Sequence, residues 1–315
     1  MDSISKRRQA AAKDLDKKLK LEKPVGVQTR TILRNMATDL QNGFAATGVI
    51  LDAKHYEDDF VGVLRPAYRK AEKQFGGTIT EDLEDELDED DPENPEDRSF
   101  ALAALILIAS REGKTPKEKI AEIKHDKNDS LFDFTTDTVP KRAALITGTN
   151  QKEIDRSIAK ATAEAIAQDV TSTSRADIAS RAGKIFKESS VYRGNLIATT
   201  EVQTAAEGAK SIEALAYSDE LQDLEDRGDA KIERKKEWHT QGDEKVREAH
   251  VLADLQEVDA DEPFIVDGEE LMFPSDTSLG ASAGNTINCR CSAMYYIDGE
   301  ISEIVTGDSS TGSFL

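Results

Sequence analysis

The sequence predicts an α+β protein in which a helical N-terminal region is followed by a small α+β C-terminal domain. Three observations support this prediction. In several stretches between residues 33 and 216, apolar residues recur at spacings of three and four, the period of an amphipathic helix. Residues 230–300 instead contain short β-prone segments separated by Gly, Pro, Asp and Asn. Charged residues make up 33% of the chain and aromatic residues 5%, which is typical of a helix-rich, highly solvated protein.

Length and composition exclude several classes of protein. With 315 residues the chain is long enough to bury a sizeable core, and its two cysteines are too close together to join distant segments by a disulfide. The net charge of −21 argues against a molecule that coats nucleic acid along its whole surface. The longest apolar run, residues 100–109, is about half the length of a membrane-spanning helix. We therefore expect no membrane partner, no export signal and a reducing environment.

The first 80 residues are predicted to form a helical attachment region with a basic N-terminus. Residues 1–36 contain ten Lys or Arg against four Asp or Glu, a local charge of +6. Leu33, Met36, Leu40 and Phe44 follow at helical spacing, so this segment should pack one face against a partner element. The basic end could be a solvated arm or a surface for an anionic partner.

Residues 81–97 carry twelve acidic side chains and no basic one, and they include two prolines. Such a block repels itself and buries little, so we predict an acidic linker over residues 81–98. An alternative is a surface that mimics the charge of DNA or docks on a basic partner. The apolar residues 100–109 that follow predict a core or interface helix.

A second helical region is predicted over residues 99–217. Asn150 with Glu153, and Ser174 with Asp177, have the spacing of helix-starting capping boxes. The segment Arg193-Gly194-Asn195 is read as a break before a third, alanine-rich stretch that ends near Ala216. These signals predict three consecutive helices.

The C-terminal α+β domain is predicted over residues 218–300, followed by a flexible tail at 301–315. Its strand candidates are residues 235–240, 263–266, 270–273 and 288–298, and a helix is expected from about Asp243 to Leu252. The tail is too small and polar to order itself alone.

A metal site is the sharpest chemical hypothesis for this domain. Asp243, Arg247 and His250 would share one face of the predicted helix, where Asp243 and Arg247 could pair. Cys289 and Cys291 would point to the same side of a strand. With His250, and with Asp243 or His239 as the fourth ligand, they could hold Zn²⁺.

Two other interpretations of the same residues stay open. The thiols could be small core residues, or one Cys could act as a nucleophile with His250 as its base and Asp243 orienting it. The sequence contains no phosphate-binding loop, H-E-x-x-H or G-x-S-x-G pattern, so we find no catalytic signature. Trp238, the only tryptophan, is expected to anchor the core of the domain.

The order of these motifs resembles the C-terminal domain of bacteriophage minor head proteins of the Mu F-like head morphogenesis family. The resemblance rests on W-H-T-x-x-D-x-x-V-R-x-x-H at 238–250, D-E-P-F at 261–264, M-F-P-S-D at 272–276 and I-N-C-R-C at 287–291. Upstream, residues 195–206 resemble the family helix that carries a Thr-Glu pair, here Thr200 and Glu201. The similarity covers about residues 190–298.

The resemblance assigns recurrent family positions within this domain. They are Trp238, Asp243, Arg247, His250, Pro274, Asp276, Asn288, Cys289, Arg290 and Cys291. The chain departs from the family at Ser275, where glycine is common, and after His250, where residues 252–260 lack the usual glycine-containing turn.

The resemblance implies a structural protein of a tailed-phage head, assembled in the host cytoplasm and located in the virion, at the portal vertex. Its implied partners are the portal protein and the major capsid or scaffold protein, and residues 1–36 could contact packaged DNA. The alternative function is a hydrolase or nuclease delivered with the phage genome, dependent on a metal or on a Cys/His pair. His250 would be its base, and Cys289 or the metal would be its reactive centre.

Overall fold

In the computed structural model, which describes residues 3–89, 98–167 and 174–302, eight α-helices precede or interrupt five short strands. The helices are α1 Ser3–Thr47, α2 Glu57–Phe75, α3 Thr78–Glu89, α4 Phe100–Arg111, α5 Pro116–Ala167, α6 Arg175–Asp226, α7 Glu248–Leu252 and α8 Ala283–Thr286, with a 3-10 helix at Ala53–Tyr56. The strands are β1 Ala230–His239, β2 Glu257–Asp259, β3 Phe264–Val266, β4 Glu269–Leu271 and β5 Ser292–Ile301. The predicted α+β class, helical first and mixed later, is confirmed.

The helical stem consists of α1, α2, α5 and α6. Helices α5 and α6 have 52 residues each, so each is about 78 Å long. Three of the four residues of the predicted stripe on α1, Leu33, Met36 and Leu40, are fully covered by the other stem helices, whereas Phe44 is only partly buried. A second apolar cluster joins α3, α4, the start of α5 and the end of α6. None of the helices in the described part of the chain has the length and apolar character of a membrane span.

Helix α6 is longer than the sequence indicated. Its start at Ser174 is confirmed, since Ser174 and Asp177 form a reciprocal capping box. The expected break at residues 193–195 is absent, because Gly194 lies against α1: a Cβ there would approach Cγ of Arg30 to 2.5 Å. Glycine therefore serves close helix packing at this point rather than a turn. The helix continues to Asp226, past the predicted domain boundary at 217/218.

Two further predictions about helices were wrong. Asn150 does not start a helix but lies buried inside α5, where Arg193 of α6 donates a hydrogen bond to its side-chain oxygen. The first part of the acidic tract is helical, because α3 extends to Glu89 and buries Leu83. Ion pairs from Lys124 to Glu84 and from Lys117 to Asp88 offset part of its charge. The remaining residues of the predicted linker, 90–97, lie outside the described residues, as do residues 303–315 of the predicted tail.

The C-terminal module comprises residues 230–301 and contains a three-stranded antiparallel sheet in the order β2-β1-β5. Strand β1 pairs along its whole length with β5, which places Trp238 opposite Ala293 and His239 opposite Ser292. Strands β3 and β4 form a separate hairpin. A third apolar cluster, formed by Trp238, Phe264, Val266, Leu271, both cysteines and Ala293 among others, is the core of this module.

The candidate metal centre

Trp238 places the histidine of the candidate site. Its side chain is fully buried and contacts Phe264 edge-on, with ring centroids 5.2 Å apart. On another side it meets the His250 ring, also edge-on, at 5.6 Å. The predicted role of Trp238 as a core anchor is therefore confirmed, and the same contact fixes the plane of the imidazole.

His250 lies on α7, which is shorter than predicted. The helix begins only at Glu248, and residues 243–247 form a turn before it. Arg247 precedes the first helical residue with extended backbone, and its guanidinium donates a hydrogen bond to the carbonyl of Ile287. The expected pairing of Asp243 with Arg247 on one helix face is thus wrong. Arg247 instead ties α7 to the segment that carries the cysteines.

The thiol loop, residues 287–291, precedes β5 rather than lying within it. Asn288 has a φ of 55°, in the left-handed region that asparagine tolerates better than most residues. Its backbone N–H donates to Oγ1 of Thr200 at 3.0 Å, and Gln203 donates to the carbonyl of Cys291 at 2.5 Å. Two side chains of α6 therefore hold both ends of the loop.

His250, Cys289 and Cys291 form one buried cluster, as the sequence predicted. Nδ1 of His250 lies 3.4 Å from Sγ of Cys291 and 3.7 Å from Sγ of Cys289. All three potential ligand atoms lie within 4.8 Å of one another. Ligands at zinc distances on a tetrahedron are about 3.6 Å apart, so the cluster could hold a metal ion with little rearrangement.

The two thiols differ in acidity. A hydrogen bond from Cys291, with help from His250, holds the pKa of Cys289 well below its usual value despite burial. The same contact with Cys289, together with burial, raises the pKa of Cys291. The pair therefore loses its first proton more readily than its second, and a bound divalent cation would displace protons from both thiols.

The predicted fourth ligand is not part of the cluster. Asp243 is engaged by Arg290, whose guanidinium donates to both carboxylate oxygens at 2.6 and 2.8 Å, and this lowers the pKa of Asp243 to about 2. His239, the other candidate, is buried with Nε2 2.6 Å from Oε1 of Glu237. Asp243 and Arg290 therefore form an ion pair, and Asp243 does not serve as the fourth ligand of the cluster.

The remaining resemblance positions shape the turn that follows the hairpin β3–β4. Asp276 is buried and accepts hydrogen bonds from the N–H groups of Met272 and Ser278. Ser275 has a φ of 73°, a conformation natural for glycine, and its hydroxyl donates to the carbonyl of Thr286 at 2.8 Å. Pro274 lies in the same turn, between Met272 and Asp276 in the sequence. The serine therefore occupies a glycine-like turn and compensates with a hydrogen bond.

The two residues of the Thr-Glu pair on α6 contact different parts of the molecule, one the C-terminal module and the other the stem. Thr200 supports the thiol loop, as described above. Glu201 accepts from Arg142 of α5 at 2.6 Å and from the hydroxyl of Tyr68 at 3.1 Å, all three being buried. One turn of α6 thus connects the cluster to the core of the stem.

Sequence reasoning missed a buried charge network beside the site. Lys18 of α1 pairs with Glu207 of α6, which also pairs with Lys210 at 2.9 Å. Glu207 accepts the N–H of Ala293, and Lys210 donates to the carbonyl of the same residue. Burial lowers the pKa of Lys210, but the nearby carboxylates of Glu207 and Asp14 outweigh it and raise the pKa overall. The only available signal was a charged pair inside an alanine-rich helical stripe.

Comparison of the chain with family models, with curated proteins and with solved structures finds no match.

Proposed function

We propose that this chain is a structural and assembly protein of a tailed-phage head, with a zinc-stabilised C-terminal module of the Mu F-like type that associates with the portal vertex. One observation carries the proposal: motifs dispersed over more than fifty residues converge on a single buried cluster. Trp238 contacts His250, and His250 contacts both Cys289 and Cys291. This is the arrangement expected if the resemblance in the sequence reflects a common fold.

The architecture supports a scaffold role. Three of the four stem helices, α1, α5 and α6, have 45 to 52 residues, and the module contacts α1, α4 and α6. Such a shape can contact a portal ring at one end and the capsid or scaffold protein at another. Residues 1–36 have fewer unpaired cations for contact with packaged DNA than their composition suggested, because three of them form ion pairs within the chain. Arg7 pairs with Glu237, Arg8 with Asp254 and Lys18 with Glu207.

The space around the cluster favours a metal over a substrate. The cavity beside the two thiols has a volume of about 10 Å³, which is the size of one water molecule or ion. A hydrolase or nuclease would need room for a scissile bond next to Cys289. We therefore propose zinc as the occupant, with His250, Cys289 and Cys291 as its ligands.

Metal analysis tests the zinc proposal. The purified full-length chain should contain about one equivalent of zinc, and a chelator should lower its melting temperature. The double substitution C289S/C291S should abolish both the zinc content and the effect of the chelator, because serine hydroxyls are poor zinc ligands. The control is His125→Ala, which removes an exposed histidine of α5 and should change neither quantity. Zinc far below one equivalent in the unmodified chain would refute the proposal.

Co-purification with the portal protein tests the assembly role separately. When the chain is co-expressed with the portal and major capsid proteins of the same phage, it should migrate with the portal ring on a sizing column. The association of the chain with the portal ring should persist when DNA is digested. A chain that migrates alone at all expression ratios, or that cleaves nucleic acid or peptide substrates in a Cys289-dependent way, would contradict the assembly proposal in favour of the enzymatic alternative.

A further inference from the structure

A second candidate site lies in the stem, away from the thiol loop. Helices α2, α3 and α5 surround a cavity of about 470 Å³, within the size range of small-molecule sites. We call it the basic cavity. Its lining residues that matter here are Arg65, Arg69, Lys73, Lys124, Lys127 and Phe132.

The charge of the basic cavity opposes that of the whole molecule. Five cations line it against two carboxylates, Glu72 and Glu81, on a chain whose net charge is −21; one of the five, Lys124, pairs with Glu84 of α3. Burial also raises the pKa of Glu72 to about 7, and its carboxylate accepts a hydrogen bond from the hydroxyl of Thr135. Glu72 therefore offsets less than a full positive charge at neutral pH.

Three of the cations form no close ion pair within the part of the chain that the structure describes. Arg65, Arg69 and Lys73 lie at successive i, i+4 positions on α2, so their side chains project from one exposed face. Among the residues that the structure describes, none of the three has a carboxylate within 4.0 Å. Three aligned cations outside any close ion pair leave positive charge that an anionic ligand can contact.

Lys127 adds a buried charge to this surface. Its side chain is 6% exposed, and the nearest carboxylate oxygen, on Glu213, is 4.0 Å away. That carboxylate already accepts hydrogen bonds from the N–H and the hydroxyl of Thr80. An ammonium group with so little compensation is stabilised if an anion enters the cavity.

Uncharged groups indicate what kind of anion fits. Phe132 lies at the cavity with 59% of its surface exposed, and Asn128 and Thr136 provide hydrogen-bonding groups. An exposed aromatic ring beside aligned cations suits a ligand that has both a planar apolar part and phosphates. We propose that the basic cavity binds a phosphorylated ligand of nucleotide size, with its phosphates on Arg69, Lys73 and Lys127 and its ring on Phe132.

The acidic wall of the cavity argues for a free nucleotide over a nucleic-acid strand. Helix α3 borders it and carries Glu81, Asp82, Glu84 and Asp85 within two turns. A strand that continued past the cavity would bring further phosphates close to these carboxylates, and the repulsion would reduce its affinity. A short ligand keeps its charge within reach of α2 and α5.

Calorimetry with the full-length chain tests this proposal. The probes are ATP without added metal, inorganic pyrophosphate and a ten-residue thymidine oligonucleotide. The expected result is saturable ATP binding that R69Q/K73Q weakens by about a hundredfold, since each of the two lost charge-assisted contacts contributes on the order of 1.4 kcal/mol, a factor of ten. Phe132→Ala should weaken binding of ATP but not of pyrophosphate.

The matched control is Lys70→Gln, which removes an exposed cation of the same helix that does not line the cavity. It should leave ATP affinity unchanged, and all variants should keep the helical circular dichroism of the parent chain. Three results would overturn the proposal: no saturable binding of ATP or pyrophosphate, equal weakening by Lys70→Gln, or oligonucleotide binding that ATP does not displace. None of these results depends on the role of the chain in head assembly.

Discussion

Replacing Glu207 by alanine is expected to lower the free energy of unfolding by about 3–5 kcal/mol, the usual effect of removing one partner of a buried ion pair. Glu207 is fully buried and pairs with both Lys18 and Lys210. Lys210 would keep Asp14 at 3.0 Å. Lys18, whose side chain is 2% exposed, would lose its only carboxylate within 4.0 Å in the described part of the chain. The buried ammonium group of Lys18 would then have no paired carboxylate and would keep its hydrogen bond to the hydroxyl of Ser292 at 3.1 Å.

Urea unfolding followed by circular dichroism measures this effect, and Glu188→Ala provides the control. Glu188 is exposed on the same helix, so its removal should change stability by less than about 0.5 kcal/mol. The double substitution of Lys18 and Glu207 by methionine should recover much of the loss, because it removes both charges and retains volume. Equal stability of the Glu207→Ala variant and the parent chain would show that the network contributes nothing.

Substituting Trp238 by alanine should cost about 3–5 kcal/mol, because the largest fully buried side chain of the C-terminal module would leave a cavity. The same change removes the edge contact that orients His250. We therefore expect weaker metal binding as well as lower stability. A conservative Trp238→Phe substitution should recover part of both.

Thermal unfolding and zinc content of the variant, compared with Tyr192→Ala, separate the two effects. Tyr192 is 70% exposed on α6, so its truncation controls for loss of an aromatic side chain without loss of core. If Trp238→Ala unfolds the module, zinc retention is measured on Trp238→Phe instead. If the Trp238→Phe variant lost stability but bound zinc with unchanged affinity, Trp238 would not be needed to orient His250 for metal binding.

Local signals in the sequence predicted which segments form helices and strands better than they predicted where those helices and strands begin and end. Ser174 and Asp177 specify a helix start through contacts within one turn, and the structure has that start. Gly194 was misread because its meaning depends on Arg30, a residue 164 positions away in the chain. Helix α3 was missed for a similar reason, since the burial of Leu83 against α4 and α5 outweighs the repulsion among its acidic residues.

The candidate site shows the same division. His250, Cys289 and Cys291 could be grouped from residue chemistry and the order of motifs. The partner of Asp243 could not, because a helix from 243 to 252 was assumed and Arg290 lies on a loop. Gln203, Glu207 and Lys210, which hold the loop and β5, face the module only because α6 passes beneath it. Long-range packing of this kind leaves no periodic trace in a sequence.

Helix α6 also has a mechanical consequence. It is one unbroken rod from Arg175 to Asp226, and it grips the loop at Thr200 and Gln203 while it bonds to α5 through Glu201. Because α6 is continuous, a displacement of one end of this helix would also displace the thiol loop that is bonded to it. A displacement of the stem relative to the C-terminal module would therefore change the distances between His250 on α7 and the two thiols.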